Sequence, residues 1–392
     1  MFLRNKYPEL ERALEIKQII AITGLRRIGK TTALKYLFEK VETTNKLFLD
    51  LEKLENRHIF NTSRYDDIIQ SLEIEGVDFD EKAYVFLDEI QLIKNIASFM
   101  KYVYDNYDVK FVVSGSSSYY MKGAFTESLA GRKRIFELWP LDFKEFLVFK
   151  GINTNLPIFD YKFTNPHFIS KYNSLYREYI QFGGFPEVVL EKNRGEKLEL
   201  LKDITNSYLK FDILFLSDFT NVDELYKLIK LLSARVGGKV DYTKLSNISG
   251  ISRQKVKDYL LFLENTYFIK LVKPFVRNAD REIALQKKLY FTDNGILNTF
   301  TNISGGAIFE NAIANQLSLL GEIKYYAKRT GQEIDFIIDE QIAVEVKETP
   351  TASDYKTLQR RATSIGIDKT SLVGLNTPGN GFSNFLYGGA IY

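Results

Sequence analysis

Gly24-Leu25-Arg26-Arg27-Ile28-Gly29-Lys30-Thr31-Thr32 follows the apolar run Gln18-Ile19-Ile20-Ala21-Ile22-Thr23 and leads into Ala33-Leu34-Lys35-Tyr36-Leu37-Phe38. The order is strand, glycine loop, helix, and the loop reads G-x-x-x-x-G-K-T, a Walker A motif. The glycines let the backbone curl so that successive N–H groups face inward toward phosphate. The positive end of the following helix favours the same anion. The stretch therefore predicts a nucleoside-triphosphate site built from Gly24, Arg26, Arg27, Ile28, Gly29, Lys30, Thr31 and Thr32. Lys30 would reach the β- and γ-phosphates, and the Thr31 hydroxyl would ligate Mg²⁺.

Outward from the loop, Lys46-Leu47-Phe48-Leu49-Asp50 reads as a second core strand, and residues 63–76 read as a polar helix. Ala83-Tyr84-Val85-Phe86-Leu87-Asp88-Glu89-Ile90-Gln91 is an apolar run ending in Asp-Glu, a Walker B pattern on a buried parallel strand. Asp88 would hold the Mg²⁺ through water, and Glu89 would polarise the attacking water. Lys110-Phe111-Val112-Val113-Ser114-Gly115-Ser116-Ser117-Ser118 is a further buried strand ending in hydroxyls. Ser116 is the candidate to sense the γ-phosphate and place water there; a serine-rich turn is the other reading. Arg132 or Arg134 would act as an arginine finger across a subunit boundary of a homo-oligomer, or would be a solvated surface arginine.

These segments, with Leu129-Ala130-Gly131-Arg132 and Pro140-Leu141-Asp142-Phe143-Lys144-Glu145-Phe146, resemble one family. It is the predicted AAA+-superfamily ATPases of archaea and bacteria that carry an extra C-terminal domain. The resemblance spans nearly the whole chain and implies ATP binding and hydrolysis, with Ser116 in the place of sensor 1.

Composition narrows the remaining choices. The 392 residues are 45% hydrophobic and 26% charged, as in soluble globular proteins, and the length suits two to four domains. Cysteine is absent, which excludes disulfides, thiol catalysis and thiolate metal sites. Histidine occurs only at His58 and His167, so any metal must be held by carboxylates, which points to Mg²⁺ or Mn²⁺. A net charge of +3 does not argue for nucleic acid by itself, so local basic patches must carry that case. No apolar run is long enough to cross a bilayer and the start has no signal-peptide core, so a cytoplasmic protein is expected.

Beyond residue 140, the pattern predicts a helical lid over 141–236, containing the turn Phe182-Gly183-Gly184-Phe185-Pro186-Glu187, also found in the family. Residues 241–260 read as helix, glycine turn, helix, with Ser252 as N-cap of the second helix. Strands over 266–276 and 287–291 follow, so residues 237–302 have the pattern of a winged helix-turn-helix. Its second helix would enter a DNA major groove, with Lys270, Lys273, Arg277 and Arg281 touching phosphate. A protein-interaction module or rigid spacer fits the same pattern.

Residues 303–392 begin with a helix carrying Glu310, then give a strand over 323–327 and two more over 332–338 and 341–347. Side chains at i and i+2 of a strand share a face, so Glu345 pairs with Lys347, and Glu333 with Asp335. Asp335 followed after nine residues by Glu345-x-Lys347 resembles the PD-(D/E)XK nuclease core. Asp335, Glu345 and Glu310 would bind Mg²⁺, which lowers the pKa of its water, and Lys347 would orient that water. A solvated strand face and an inactive nuclease fold are the competing readings.

The expected fold class is α/β: a P-loop NTPase parallel sheet core (1–140), a helical lid, a winged helix, and a C-terminal α/β nuclease-like domain. The expected function is Mg²⁺-dependent ATP hydrolysis coupled to DNA. The alternative is a nucleotide-dependent switch that binds a protein partner, and a transcriptional regulator is a third class.

Overall fold

The computed structural model describes residues 2–115, 129–152, 166–212, 222–276, 282, 285–301, 303–328, 331–379 and 381–391. The chain divides into two compact units. The first holds Met1–Trp139 with Lys210–Asp218 and Asn265–Tyr267; the second holds Pro140–Leu209, Phe219–Glu264 and Phe268–Tyr392.

The first unit is a five-stranded parallel sheet among the described residues, in the order β2-β3-β4-β1-β5. Its strands are β1 (Ile19–Thr23), β2 (Lys46–Asp50), β3 (Ala83–Asp88), β4 (Val109–Gly115) and β5 (Lys133–Glu137). β1 and β4 are buried at every position, which is why they read as continuous apolar runs without alternation. Helices Leu54–His58, Tyr65–Ile74 and Ile96–Asn106 lie in the connections, and the last two pack Ile68, Leu72, Phe99 and Met100 into the core. The strand order has a consequence for the site. β4 lies between β1, which feeds the glycine loop, and β3, which ends in Asp88. Residues at the end of β4 are thereby placed in the crevice beyond the carboxyl ends of the strands, where open α/β sheets bind ligands.

In the second unit, helix Pro166–Phe182 ends at Gly183, whose φ of +75° only glycine adopts at low cost. Gly184 donates its N–H to the Asp293 carboxylate at 2.7 Å and accepts the Leu141 N–H at 2.7 Å. Within the expected lid, a helix runs over Arg194–Ser207 and then widens into one π turn, Tyr208–Asp212. Tyr242–Ser249, Gly250 in the left-handed region, and Arg253–Asn265 form the expected helix, turn and helix.

A mixed sheet of seven strands among the described residues runs in the order β12-β11-β10-β9-β8-β6-β7. Its members are β6 (Ile269–Pro274), β7 (Lys288–Phe291), β8 (Ile323–Ala327), β9 (Glu333–Ile338), β10 (Ile342–Lys347), β11 (Lys369–Gly374) and β12 (Leu386–Tyr387). β6 pairs antiparallel with β7 on one side and parallel with β8 on the other. The hairpin read as a wing is therefore stitched into the C-terminal sheet, and the expected division at 302/303 falls inside one hydrogen-bonded layer. Helix Gly305–Leu320 places Asn311 in the core, where its amide binds both the N–H and the carbonyl of Phe291 and the side chain of Asn294. Buried amides are stable there because each polar atom is satisfied.

Candidate functional site

The glycine loop leaves β1 at Thr23 and enters helix Lys30–Lys40 at Gly29. Three residues have positive φ: Gly24 (+145°), Arg27 (+60°) and Gly29 (+97°). Gly24 admits no side chain, because a Cβ there would lie 2.2 Å from the Leu138 carbonyl oxygen. The first helical hydrogen bond runs from Ala33 N–H to Gly29 O at 2.9 Å, so the amides of Thr31 and Thr32 precede the intrahelical ladder. Lys30 is 4% exposed, and its ammonium lies on the loop itself, donating to Leu25 O at 2.8 Å and Gly24 O at 3.3 Å.

Walker A and Walker B meet directly. The Thr31 hydroxyl donates to Asp88 Oδ2 at 2.6 Å, and the Ser114 hydroxyl donates to Asp88 Oδ1. Asp88 is 2% exposed; burial raises its carboxyl above the usual aspartate range, while the Ser114 and Thr31 hydroxyls hold it down. Ser114 also accepts the Glu89 N–H at 3.2 Å. Glu89 adopts φ +58°, uncommon for a residue with a side chain, and Gln91 donates to its Oε2. Glu52, just past β2, is raised by burial and by the charge of Glu89, and Arg26 lies 4.0 Å from it.

The donors fit a magnesium nucleotide. Thr31 and Asp88 offer hard oxygen donors, Gly29 has open space on its Cβ side, and the buried Thr23 hydroxyl has no hydrogen-bond partner among the described residues. Ser114 and Gln91 were not singled out from the sequence. A hydroxyl residue at the end of a strand buried at every position holds the signal for Ser114, once β4 is known to lie beside β3. Ser116 lies outside the described residues. Arg132 is engaged within its own chain, with Nε on Asp105 Oδ1 at 2.7 Å and Nη2 on Oδ2 at 3.1 Å, and Arg134 reaches Glu9 at 3.1 Å. A finger role for either arginine requires that pair to open.

On the helix-turn-helix, Ser252 caps the second helix, its hydroxyl accepting the Lys255 N–H at 3.3 Å. Several polar groups of this module are already engaged: Lys255 pairs with Glu224, Gln254 with Asp258, and the expected contact Lys273 with Glu282 at 3.5 Å. Lys270 bonds to Ser318. Arg277 and Arg281 lie outside the described residues. Arg253 and Lys257 remain exposed, with no acidic partner among the described residues.

The C-terminal sheet brings Glu310, Glu333, Asp335, Glu345 and Lys347 into one polar region. Glu345 is 7% exposed; burial and the charge of Asp335 raise its carboxyl, against Lys347 at 2.8 Å and Arg361 at 3.7 Å. Glu310 is pushed up to about 7 by burial and by Asp335, while Lys288 and the Tyr290 hydroxyl, at 2.7 Å, oppose the shift. The expected metal trio is not gathered, however. Asp335 turns Oδ2 to the Val346 N–H at 2.8 Å, Glu345 is taken by Lys347, and Glu310 by Tyr290. Among the described residues no three acidic or histidine side chains are grouped to hold a metal ion. Lys288 and Arg361, to which the sequence pattern does not point, join Lys347 among the cations of this region.

Residues 16–147 match the family model described as an AAA domain. Residues 173–306 and 305–380 match two models described as domains of unknown function (DUF8612 and DUF4143). An uncharacterized protein of Methanocaldococcus jannaschii is 27% identical over 94% of this chain and 85% of its own length. One of Haemophilus influenzae is 26% identical over 90% of each. Among solved structures, the RuvB Holliday junction branch migration motor of Thermotoga maritima is 18% identical, with a TM-score of 0.34. That likeness covers 72% of this chain and 95% of RuvB. The Aeropyrum pernix ORC1 protein in complex with DNA is 11% identical, with a TM-score of 0.32, covering 76% and 92%. Likenesses of that extent do not bear on the function of this chain. The AAA match and the parallel sheet with its glycine loop agree on an AAA-type P-loop fold for the first unit. No helix among the described residues is long and apolar enough to cross a membrane.

Proposed function

We propose that this chain binds and hydrolyses ATP with Mg²⁺ at the crevice formed by Gly24–Thr32, Asp88 and Glu89. The observation that carries the reading is the 2.6 Å hydrogen bond between Thr31 and Asp88, which sets the two oxygen donors of the motif pair side by side. Lys30 releases the loop carbonyls and turns to the β- and γ-phosphates. Thr31 and Asp88 hold Mg²⁺, which neutralises phosphate charge when bound. Ser114 keeps Asp88 in place, and Glu89 orients the attacking water once Gln91 lets go of it.

Phosphate release from ATP tests this. Wild type is expected to hydrolyse, Lys30→Ala to lose binding and hydrolysis, and Glu89→Gln to keep binding while losing hydrolysis. Equal turnover in all three would sink the reading.

A second reading, contact with DNA by the helix-turn-helix, is favoured by the exposed Arg253 and Lys257 on the first turns of its second helix. Their substitution by alanine should weaken binding of a labelled duplex and flatten its dependence on salt. No change in the salt slope would refute it.

A further inference from the structure

Lys288 lies on β7 with only 3% of its surface exposed. Its ammonium makes a short ion pair with Glu333 Oε1 and lies 3.7 Å from Glu310 Oε1. Burial works against that charge, yet Glu310, Asp335 and Glu333 together hold the ammonium pKa above the ordinary lysine value. Tyr290, two residues along the same strand face, donates its hydroxyl to the same Glu310 Oε1 that Lys288 faces. Opposite Lys288, across an antiparallel bridge, Lys239 comes within 3.7 Å of Glu333 Oε2. Gly237, two residues before it, packs so near that a Cβ would meet Glu310 Oε1 at 3.1 Å.

The carboxylates of this region lie among cations of the same chain, while Glu345 Oε2 is buried without a hydrogen-bond partner among the described residues. Glu310, Glu333, Asp335 and Glu345 face Lys239, Lys288, Lys347 and Arg361. Clustered carboxylates buried in a sheet require cations, whether from bound ions or from the chain itself. Here the chain supplies them on β7, β10, the ribbon carrying Lys239 and the helix Ala352–Thr363, and each lysine is tethered where a free ion would exchange.

We infer that the buried ammonium of Lys288, lodged between Glu310 and Glu333, does for this acidic cluster what a bound divalent cation would otherwise do. The acidic cluster is neutralised by its own chain and carries no resident metal. The same lysine ties β7 to helix Gly305–Leu320 and to β9, which makes the cluster a fastener of the sheet. A metal entering here would add charge to a balanced cluster and would have to displace Lys288 from Glu333.

The test is Mn²⁺ alone, titrated calorimetrically into the nucleotide-free full chain as wild type, Asp335→Asn, Lys288→Met and the double variant. Wild type and Asp335→Asn are expected to take up Mn²⁺ alike. Lys288→Met is expected to bind Mn²⁺ at least ten-fold more tightly than wild type, and to lose that gain when Asp335→Asn is added. Two results overturn the inference: wild type binding Mn²⁺ ten-fold more tightly than Asp335→Asn, or a folded Lys288→Met showing no gain. Should Lys288→Met fail to fold by circular dichroism, the comparison of wild type with Asp335→Asn decides alone. Neither result depends on ATP hydrolysis, so failure here is distinct from failure of the ATPase reading.

Discussion

The Thr31 hydroxyl donates to Asp88 Oδ2 at 2.6 Å, joining residues 57 positions apart in the chain. One end of the bond sits on the first turn of a helix and the other on the last residue of a strand two places away in the sheet. Thr31→Val removes the hydroxyl while keeping the shape. Hydrolysis of ATP is expected to fall by about 10²-fold or more, the scale of one lost preorganised group. Phosphate release measured against Mg²⁺ concentration checks it, with the deficit only partly relieved at high Mg²⁺.

Ser114 both donates to Asp88 and accepts from the Glu89 amide. Ser114→Ala leaves two buried polar atoms short of a partner, a cost of about 1–3 kcal/mol. The same change removes a hydrogen bond that lowers the Asp88 pKa, which already stands above the ordinary value. A carboxyl raised on folding binds protons more tightly in the native state. Its contribution to stability therefore declines as pH rises from the unfolded pKa through the folded one. In Ser114→Ala that window extends upward, and the acid limb of the pH–rate profile should move to higher pH. An unmoved limb would show that Asp88 does not titrate there.

Lys110 is buried on β4 and donates to the carbonyls of Ala13, Ile16 and Gln18. Burial pushes its ammonium down to about 7. Between there and the ordinary lysine pKa the unfolded chain holds a proton the native state has lost. Stability should then rise with pH across that window, with a slope of up to about 1.4 kcal/mol per unit, and be insensitive to this group below it. Urea midpoints from pH 7 to about 10 for wild type and Lys110→Met measure the difference, which should be absent in the variant.

Two glycines of the second unit should respond oppositely to alanine. At Gly184 a Cβ would lie 2.3 Å from Leu141 O and 2.8 Å from Leu141 N, both backbone atoms that cannot swing away. Gly184→Ala is expected to destabilise by more than about 3 kcal/mol, or to prevent folding. At Gly306, on the first turn of helix Gly305–Leu320, nothing lies within 4 Å of the Cβ position. Gly306→Ala should be neutral or stabilising by up to about 1 kcal/mol. Thermal melts of both variants beside wild type give the answer.

The sequence by itself determined the glycine loop between β1 and its helix and the carboxylate pair at the end of β3. Walker A is local, since its glycines, lysine and threonine are consecutive and their geometry follows from backbone freedom and the helix start. Asp88 and Glu89 were legible because a buried parallel strand must be apolar until it ends. The helix-turn-helix was legible for the same reason, through Gly250 and Ser252. What only the tertiary structure decided was which strands become neighbours. β4 entering between β1 and β3 made Ser114 a partner of Asp88. β6 pairing with β8 turned an expected wing into part of a sheet. β7 brought Lys288 against Glu310 and Glu333, 22 and 45 positions away, turning the acidic pattern of β9 and β10 into ion pairs. Strand order depends on which apolar faces pack together over long separations, and no single stretch of chain encodes it.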